Sequence, residues 1–192
     1  MSDGWYVDHF ATDPSVLATM AVVGGLGLVA AVLVPRRRVA TALTGFALAV
    51  VLGVTVVPAG GWGDLSVLPD ALRSIRTHLA PNGAGPADWA SAPDAALNVA
   101  LFVPLGASLT LLLRRPVLAA LAATALSVAV ECWQASLTTR VSSFADVVCN
   151  GLGAVTGAAI GGIVLLVSAV LRAGSSATAR PAPRRPAGTL PR

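Results

Sequence analysis

The chain has 192 residues, of which 55% are hydrophobic and only 11% are charged, and its mean hydropathy is +0.77. A soluble globule of this size needs more polar side chains to cover its surface. The composition therefore excludes an ordinary soluble domain and indicates a protein embedded in lipid, and no nucleic-acid partner is expected.

Five apolar runs are long enough to cross a bilayer, for which about 20 residues must span about 30 Å of hydrocarbon. An apolar segment in lipid has to satisfy its backbone hydrogen bonds internally, so each run is expected to be an α-helix. The sequence predicts an all-α integral membrane bundle of about five transmembrane helices, a multi-pass protein in contact with the lipid bilayer. The predicted spans are Ser15–Val34, Val39–Val57, Ala95–Leu113, Val117–Ala135 and Asp146–Leu171.

Arginine placement predicts the orientation of these spans. Cytoplasmic loops of membrane proteins carry an excess of Arg and Lys, and here arginines follow the first, third and fifth spans. The chain is therefore predicted to be N-out/C-in, with Arg73, Arg76 and Arg140 outside. All acidic residues then fall on the outer side or in the outer part of a span. The arginines assigned to the cytoplasm are Arg36, Arg37, Arg38, Arg114, Arg115, Arg172, Arg180, Arg184, Arg185 and Arg192.

The spans divide the chain into five segments. Asp3, Asp8 and Asp13 precede the first span and arginines follow it, the reverse of a signal peptide, so this span is expected to remain as an anchor. The last segment is rich in Pro and Arg and is expected to be disordered. The segments are an extracytoplasmic N-terminus (1–14), a two-helix hairpin (15–57), an extracytoplasmic loop (58–93), a three-helix transmembrane region (94–171) and a basic cytoplasmic tail (172–192).

The loop 58–93 contains a candidate amphipathic helix. Apolar residues recur there at helical spacing, and Arg73 and Arg76 fall between them. This pattern predicts a short helix on the membrane surface, while a mobile loop rich in Gly and Pro fits the composition equally well. With His78 and His9 as the only histidines, a histidine metal site or a Ser/His/Asp triad is not expected. The apolar residues of the pattern are Leu68, Leu72, Ile75 and Leu79.

Polar side chains interrupt the fourth and fifth spans near their short connection. At about 100° per residue, Glu131 and Gln134 share one face of the fourth span, and Asp146 and Asn150 share one face of the fifth. Asn98 enters the third span at a similar depth. Ionisable groups inside a membrane are candidate functional sites. The predicted outward-facing ligand-binding pocket comprises Asn98, Glu131, Gln134, Arg140, Asp146 and Asn150.

A structural interpretation of these residues is also open. The amides could serve as hydrogen bonds between helices, and Arg140 with Asp146 could form a weak ion pair at the rim. Glu131 favours a function, because a carboxylate about one turn below the interface needs a cation or a proton.

The polar face of the fifth span continues as a stripe of glycines. Gly153, Gly157 and Gly161 have the i, i+4 spacing that lets another membrane helix approach closely. Because the fourth and fifth spans are joined by a short connection, the polar faces of these two helices are expected to meet. Gly157 is expected to lie at a helix contact with the third or fourth span.

The second half of the chain resembles the VanZ-like family of membrane proteins. The family's Asn-x-x-x-Phe-x-Pro-x-Gly segment is similar to LNVALFVPLGASLTLLL, and its Glu-x-x-Gln, Arg, Asp-x-x-x-Asn-x-x-Gly and Gly-x-x-x-Gly series resembles ECWQASLTTRVSSFADVVCNGLGAVTGAAIG. Many members also carry an Asp-Lys pair followed by histidine, for which this lysine-free chain has no counterpart. The residues at motif positions are Asn98, Phe102, Pro104, Gly106, Glu131, Gln134, Arg140, Asp146, Asn150, Gly153 and Gly157.

This resemblance implies a protein of the bacterial cell membrane with a role in the cell envelope. It also implies a link to resistance against teicoplanin-type glycopeptide antibiotics. Such antibiotics meet cell-wall precursors on the outer face, which is the predicted side of the pocket. The expected partner beyond the bilayer is an envelope lipid or a cell-wall precursor.

Two mechanisms fit the predicted pocket. In the first, it binds a lipid headgroup, a lipid-linked precursor or a Ca²⁺ or Mg²⁺ ion, whose preferred ligands are oxygens, and no other cofactor is expected. In the second, Glu131 and Asp146 act as an acid/base pair of an intramembrane enzyme. Binding is favoured over catalysis, because the sequence shows no activated nucleophile and no complete set of ligands for a hydrolytic metal.

Two cysteines flank the predicted pocket. Cys132 and Cys149 would lie at nearly equal depth on the oxidising side of the membrane, where a disulfide can persist. Both also lie about 100° around their helices from the polar faces, so two buried thiols are the alternative.

Overall fold

The computed structural model describes residues 12–79, 85, 89, 94–139 and 142–178. Within these ranges the chain is helical, with no strand and one isolated bridge between Val67 and Leu137. Short 3₁₀ turns lie at Pro35–Arg37 and Trp62–Asp64. The α-helices are α1 (Pro14–Leu33), α2 (Arg38–Val56), α3 (Ala71–His78), α4 (Ala95–Leu113), α5 (Pro116–Ala135) and α6 (Phe144–Thr178).

Five of these helices, all except α3, are long and apolar enough to cross a membrane. The predicted all-α fold and its five spans are therefore confirmed, and their orientation stays a prediction. At 35 residues, α6 is about 50 Å long and exceeds the thickness of a hydrocarbon core. It ends at Thr178 rather than at the predicted Leu171, because the Ala and Ser residues that follow the apolar run continue the helix.

The helices α1 and α2 form an antiparallel hairpin held by a contact between glycines. A Cβ added to Gly27 would lie 2.5 Å from the Cα of Gly45, so the two backbones touch at this point. Toward the ends of the hairpin, Met20 packs over Gly53. The remaining surface of α1 carries exposed Val and Leu side chains, as suits a helix that faces lipid.

The helices α4 and α6 run parallel and pack backbone against backbone. Gly153 faces the carbonyl of Val99, and Gly157 faces that of Val103. Gly161 lies against Thr110, and Gly106 on α4 returns the contact by facing the α6 backbone. The glycine stripe therefore lies at a helix interface, as predicted.

The predicted contact of Gly157 with the third or fourth span is confirmed for the third span. The glycines do not pack on the fourth span, so the expected meeting of the two polar faces does not extend to the glycine stripe. The short connection does make α5 a neighbour of α6, but α5 contacts a different face, where Thr124 packs over Gly151. Small residues on both α4 and α6 allow the closer approach, and helices with small residues at matching depth pack most closely in membranes.

The bundle has two chemically different ends. The acidic end comprises the starts of α1, α4 and α6, the ends of α2 and α5, and the segment 57–79 that contains α3. Every acidic residue of the described ranges lies there. The arginine end comprises the α1–α2 and α4–α5 turns and the final part of α6. Between them lies an apolar core formed by Ala47, Val51, Phe102, Leu105, Ala123 and Ala154.

Candidate functional site at the acidic end

Three helices bring five of the predicted pocket residues to the acidic end. Asn98 lies in the first turn of α4, Glu131 and Gln134 lie in the last two turns of α5, and Asp146 and Asn150 lie in the first two turns of α6. The end of α2 lies beside α5, where its carbonyls accept hydrogen bonds from α5 side chains. Arg140, in the connection between α5 and α6, lies outside the described residues.

Asp146 joins α6 to α4 and also helps to start α6. Its Oδ1 accepts a hydrogen bond from Asn98 Nδ2 at 2.6 Å, and its Oδ2 accepts one from Ser143 Oγ at 2.7 Å. The Asp146 backbone N–H in turn donates to Ser143 Oγ at 3.1 Å. This Ser-x-x-Asp arrangement resembles a capping box, in which a side chain satisfies an N–H group that the helix itself leaves without an acceptor. Both Asp146 oxygens are thus engaged.

Glu131 is buried inside the bundle and does not face lipid. Only 3% of its surface is exposed, and its Oε2 accepts a hydrogen bond from the Ser143 backbone N–H at 3.4 Å. Ser143 therefore connects the two carboxylates, with its backbone on Glu131 and its hydroxyl on Asp146. A buried carboxylate is costly in lipid, so its placement beside the Ser143 N–H is a specific feature of this end.

Gln134 serves the end of α2. Its Nε2 donates to the carbonyl of Thr55 at 2.9 Å, and the neighbouring Trp133 Nε1 donates to that of Val56 at 2.8 Å. The last carbonyls of a helix have no partner within the helix. The side chains of α5 thus close α2, which matches the structural interpretation of an amide between helices for Gln134.

Two further polar side chains are buried close to the cluster in sequence. Asn150 is 2% exposed and Ser127 is fully buried. Within the described part of the chain, neither Asn150 Oδ1 nor Ser127 Oγ has a hydrogen-bond partner. A buried oxygen without a donor costs about 1–3 kcal/mol. We define Asn98, Glu131, Ser143, Asp146 and Asn150 as the acidic-end cluster.

The loop before α4 lies across the α5–α6 connection. Leu68 N–H donates to the carbonyl of Ser136 at 2.8 Å, and Thr138 N–H donates to that of Ser66 at 3.1 Å. The short amphipathic helix that the sequence predicted in this loop is present as α3 (Ala71–His78). Its position on a membrane surface stays a prediction. Between α3 and the connection lies a cavity of about 220 Å³, lined by Leu68, Ser74, His78, Ala135, Leu137, Thr138 and Ser142.

Metal ligands do not converge at this end. No group of three or more His, Cys, Asp or Glu side chains suited to a metal occurs among the described residues. His78 lies on α3, where its Nδ1 is 2.9 Å from the carbonyl of Ser74. An ion at the cluster would therefore depend on the amide oxygens of Asn98 and Asn150 as well as on the carboxylates.

The cysteines are both free thiols. Cys149 is buried beneath Trp89, with its Sγ 3.9 Å from the Trp89 carbonyl oxygen, and Cys132 is partly exposed. The Trp89 ring also packs edge-on against Phe144 at the start of α6, with ring centroids 6.0 Å apart. The structure thus has no disulfide between Cys132 and Cys149, and of the two thiols expected to be buried only that of Cys149 is buried.

The fold and the polar end together define a multi-pass helical membrane protein. The sequence profile described as VanZ/LLP1 matches residues 60–166, more than half of the chain. The chain therefore belongs to the VanZ/LLP1 family, as the motif resemblance predicted. The matched region runs from the loop before α3 into α6 and contains the whole acidic-end cluster. Neither the curated proteins nor the solved structures contain a match to this chain.

Several motif positions contribute packing. Phe102 is fully buried in the core, and Gly106, Gly153 and Gly157 form the α4–α6 contact. Pro104 is exposed on α4. The motif therefore combines residues that bring α4 and α6 together with polar residues that this contact places side by side.

Sequence reasoning did not find Ser143. Its signal was present in Ser143-Phe-Ala-Asp146, since Ser followed three residues later by an acidic residue before an apolar run marks a helix start. The carbonyl of Thr55 was not predicted as the partner of Gln134 either. This bond depends on which helices are neighbours, and no local pattern reports that.

Proposed function

We propose that the acidic-end cluster binds a cell-envelope component, namely the headgroup of an envelope lipid or a lipid-linked cell-wall precursor, at the outer face of a bacterial cell membrane. The observation that carries this proposal is that the Glu131 carboxylate and the Asn150 amide are both buried at this end of the bundle, and that the side-chain carbonyl oxygen of Asn150 has no donor within the described residues. Both groups accept hydrogen bonds. They suit a ligand that supplies donors, such as sugar hydroxyls or an ammonium group, or a bound Ca²⁺ or Mg²⁺ ion.

The location of the cluster supports the same proposal. It lies at the end of the bundle that the arginine distribution assigns to the outside. Arg140 belongs to the α5–α6 connection in the sequence, and a guanidinium in this connection suits the phosphate of a lipid-linked precursor. A role in resistance to teicoplanin-type antibiotics would follow if the bound component were the precursor that such antibiotics recognise.

Binding is favoured over catalysis by the state of Asp146. Both of its oxygens already accept hydrogen bonds, one from Asn98 and one from the Ser143 hydroxyl that caps α6. A carboxylate engaged in a helix cap is poorly placed to act as a general base, which must reach a substrate proton directly or through one water.

The test is binding and turnover of a fluorescent lipid-linked cell-wall precursor by the purified full chain in detergent, with and without Ca²⁺ or Mg²⁺. We expect saturable binding without product, weakened at least tenfold by Glu131→Gln, which removes the charge and keeps the shape. The matched control is Asp70→Asn, an exposed carboxylate at the same end, which should leave the affinity unchanged. Product formation abolished by Glu131→Gln would instead establish the enzyme, and equal affinity of both variants would refute the site.

A further inference from the structure

A second concave site lies at the arginine end. A cleft of about 610 Å³ opens between the α1–α2 turn, the end of α4 and the last turns of α6. Five exposed guanidinium side chains line it, together with apolar side chains of α2, α4 and α6. The arginines of the cleft are Arg36, Arg37, Arg38, Arg114 and Arg172.

The charge of this cleft is one-sided. No acidic side chain lines it, and the acidic residues of the described ranges all lie at the opposite end of the bundle. Two hydrogen bonds of its arginines run to neutral carbonyl groups, from Arg37 Nη1 to Leu112 and from Arg172 Nε to Ser168 at 2.9 Å. Several cations gathered in one concavity favour an anionic ligand.

A second observation that favours a ligand site is the backbone conformation of Arg114 at one edge of the cleft. Arg114 ends α4 in the left-handed conformation, with φ 58° and ψ 29°, and its N–H donates to the carbonyl of Thr110 at 2.7 Å. Glycine is the usual residue at such a helix end, because a Cβ is disfavoured there. Here the position holds an arginine, so a guanidinium lies at the cleft at some cost to the backbone.

The remaining lining indicates what kind of anion fits. Val39, Leu111 and Leu165 form the apolar part of the cleft, and α1 and α6 expose Val, Leu and Ile side chains beside it. A phospholipid matches this combination, since its phosphate contacts guanidinium groups while its chains lie along apolar helices. Basic pockets between transmembrane helices are known binding sites for anionic lipid headgroups.

We propose that this cleft binds the phosphate headgroup of an anionic phospholipid in the leaflet that the arginine end faces. Arg36, Arg38 and Arg114 supply the charge-assisted hydrogen bonds. Arg37 has a separate structural role, because it closes the end of α4 through the Leu112 carbonyl. The site is independent of the acidic-end cluster, at the other end of the bundle.

The test is the affinity of the purified full chain, in zwitterionic detergent, for phosphatidylglycerol with a fluorescent acyl chain. Unlabelled phosphatidylglycerol should compete, phosphatidylcholine of the same chain length should compete at least about tenfold less well, and inorganic phosphate should not compete in the same concentration range. An arginine near a lipid surface contributes about 1 kcal/mol, so Arg114→Gly should weaken binding about fivefold. Arg36→Gln, Arg38→Gln and Arg114→Gly together should weaken it on the order of a hundredfold.

Arg114→Gly separates binding from folding. Glycine suits the left-handed backbone, so the thermal midpoint of this variant should be equal or higher while its affinity falls. The matched control is Arg115→Gln, which removes a neighbouring exposed arginine that does not line the cleft, and it should change the affinity less than twofold. Equal losses for Arg114→Gly and Arg115→Gln, equal affinity for the two phospholipids, or effective competition by inorganic phosphate would each overturn the proposal.

Discussion

At each end of the bundle, a side chain donates a hydrogen bond to a carbonyl near the end of a neighbouring helix, but the surroundings of the two bonds differ. At the acidic end, Gln134 on α5 donates to the carbonyl of Thr55 near the end of α2. At the arginine end, Arg37 donates to the carbonyl of Leu112 near the end of α4. The first bond is buried and the second is exposed. A side chain that closes a neighbouring helix therefore belongs to a packed polar core in one case and to an open charged surface in the other.

This difference extends along the helices. Near the acidic end, α4 and α6 touch through their backbones, and this contact holds Asn98 and Asp146 within hydrogen-bonding distance. Toward the arginine end, α6 leaves its neighbours, and Leu166 and Leu171 are 66% and 68% exposed. The buried carboxylates thus lie where the backbone contact of α4 and α6 begins, whereas Arg172 lies on the turns of α6 beyond this contact. Buried carboxylates need fixed partners more than exposed arginines do.

The largest expected effect concerns the sides of the membrane that the two ends face. The arginine distribution predicts a cytoplasmic arginine end. Alkaline phosphatase, which is active only outside the cytoplasm, should therefore be inactive when fused after Arg192. The same enzyme inserted at Gly63, an exposed glycine at the acidic end with no side-chain neighbour within 4 Å, should be active. The reverse pattern of activity would show that the ends are inverted.

The next effect tests whether the α4–α6 contact stabilises the bundle. A side chain at Gly157 would collide with the backbone of α4 at Val103, so Gly157→Leu should destabilise the protein by about 3 kcal/mol or more. Gly174→Leu is the matched control, because nothing lies within 4 Å of that position on the same helix. Thermal unfolding in detergent measures both variants. Similar midpoints would mean that the observed contact contributes little.

The sequence was sufficient to predict the limits of four spans and the polar faces of α5 and α6. Hydrocarbon thickness fixes the length of an apolar run, so the ends of α1, α2, α4 and α5 fall within one residue of the predicted limits. Periodicity gives the face of a helix but not the neighbour of that face. For this reason the glycine stripe of α6 was predicted correctly as an interface, while the sequence left open whether Gly157 meets the third or the fourth span.

The same limit applies to the candidate site. Glu131, Asn98 and Asp146 were found from their cost in lipid, which is a property of each residue alone. The bond from Gln134 to Thr55 depends on α5 and α2 being neighbours, which no short sequence pattern encodes. Pairing between helices that are distant in the chain is decided by packing of the whole bundle.

The smallest expected effects compare the two helix-closing side chains directly. Gln134→Leu keeps the size of the side chain but leaves the buried Thr55 carbonyl without its donor, so it should cost about 1–3 kcal/mol. Arg37→Gln removes an exposed donor, and water can replace it at the Leu112 carbonyl, so it should cost less than about 0.5 kcal/mol. Both values come from unfolding midpoints measured in one detergent. If the two variants lost equal stability, burial would not distinguish the ends, and the contrast between a polar core and a charged surface would fail.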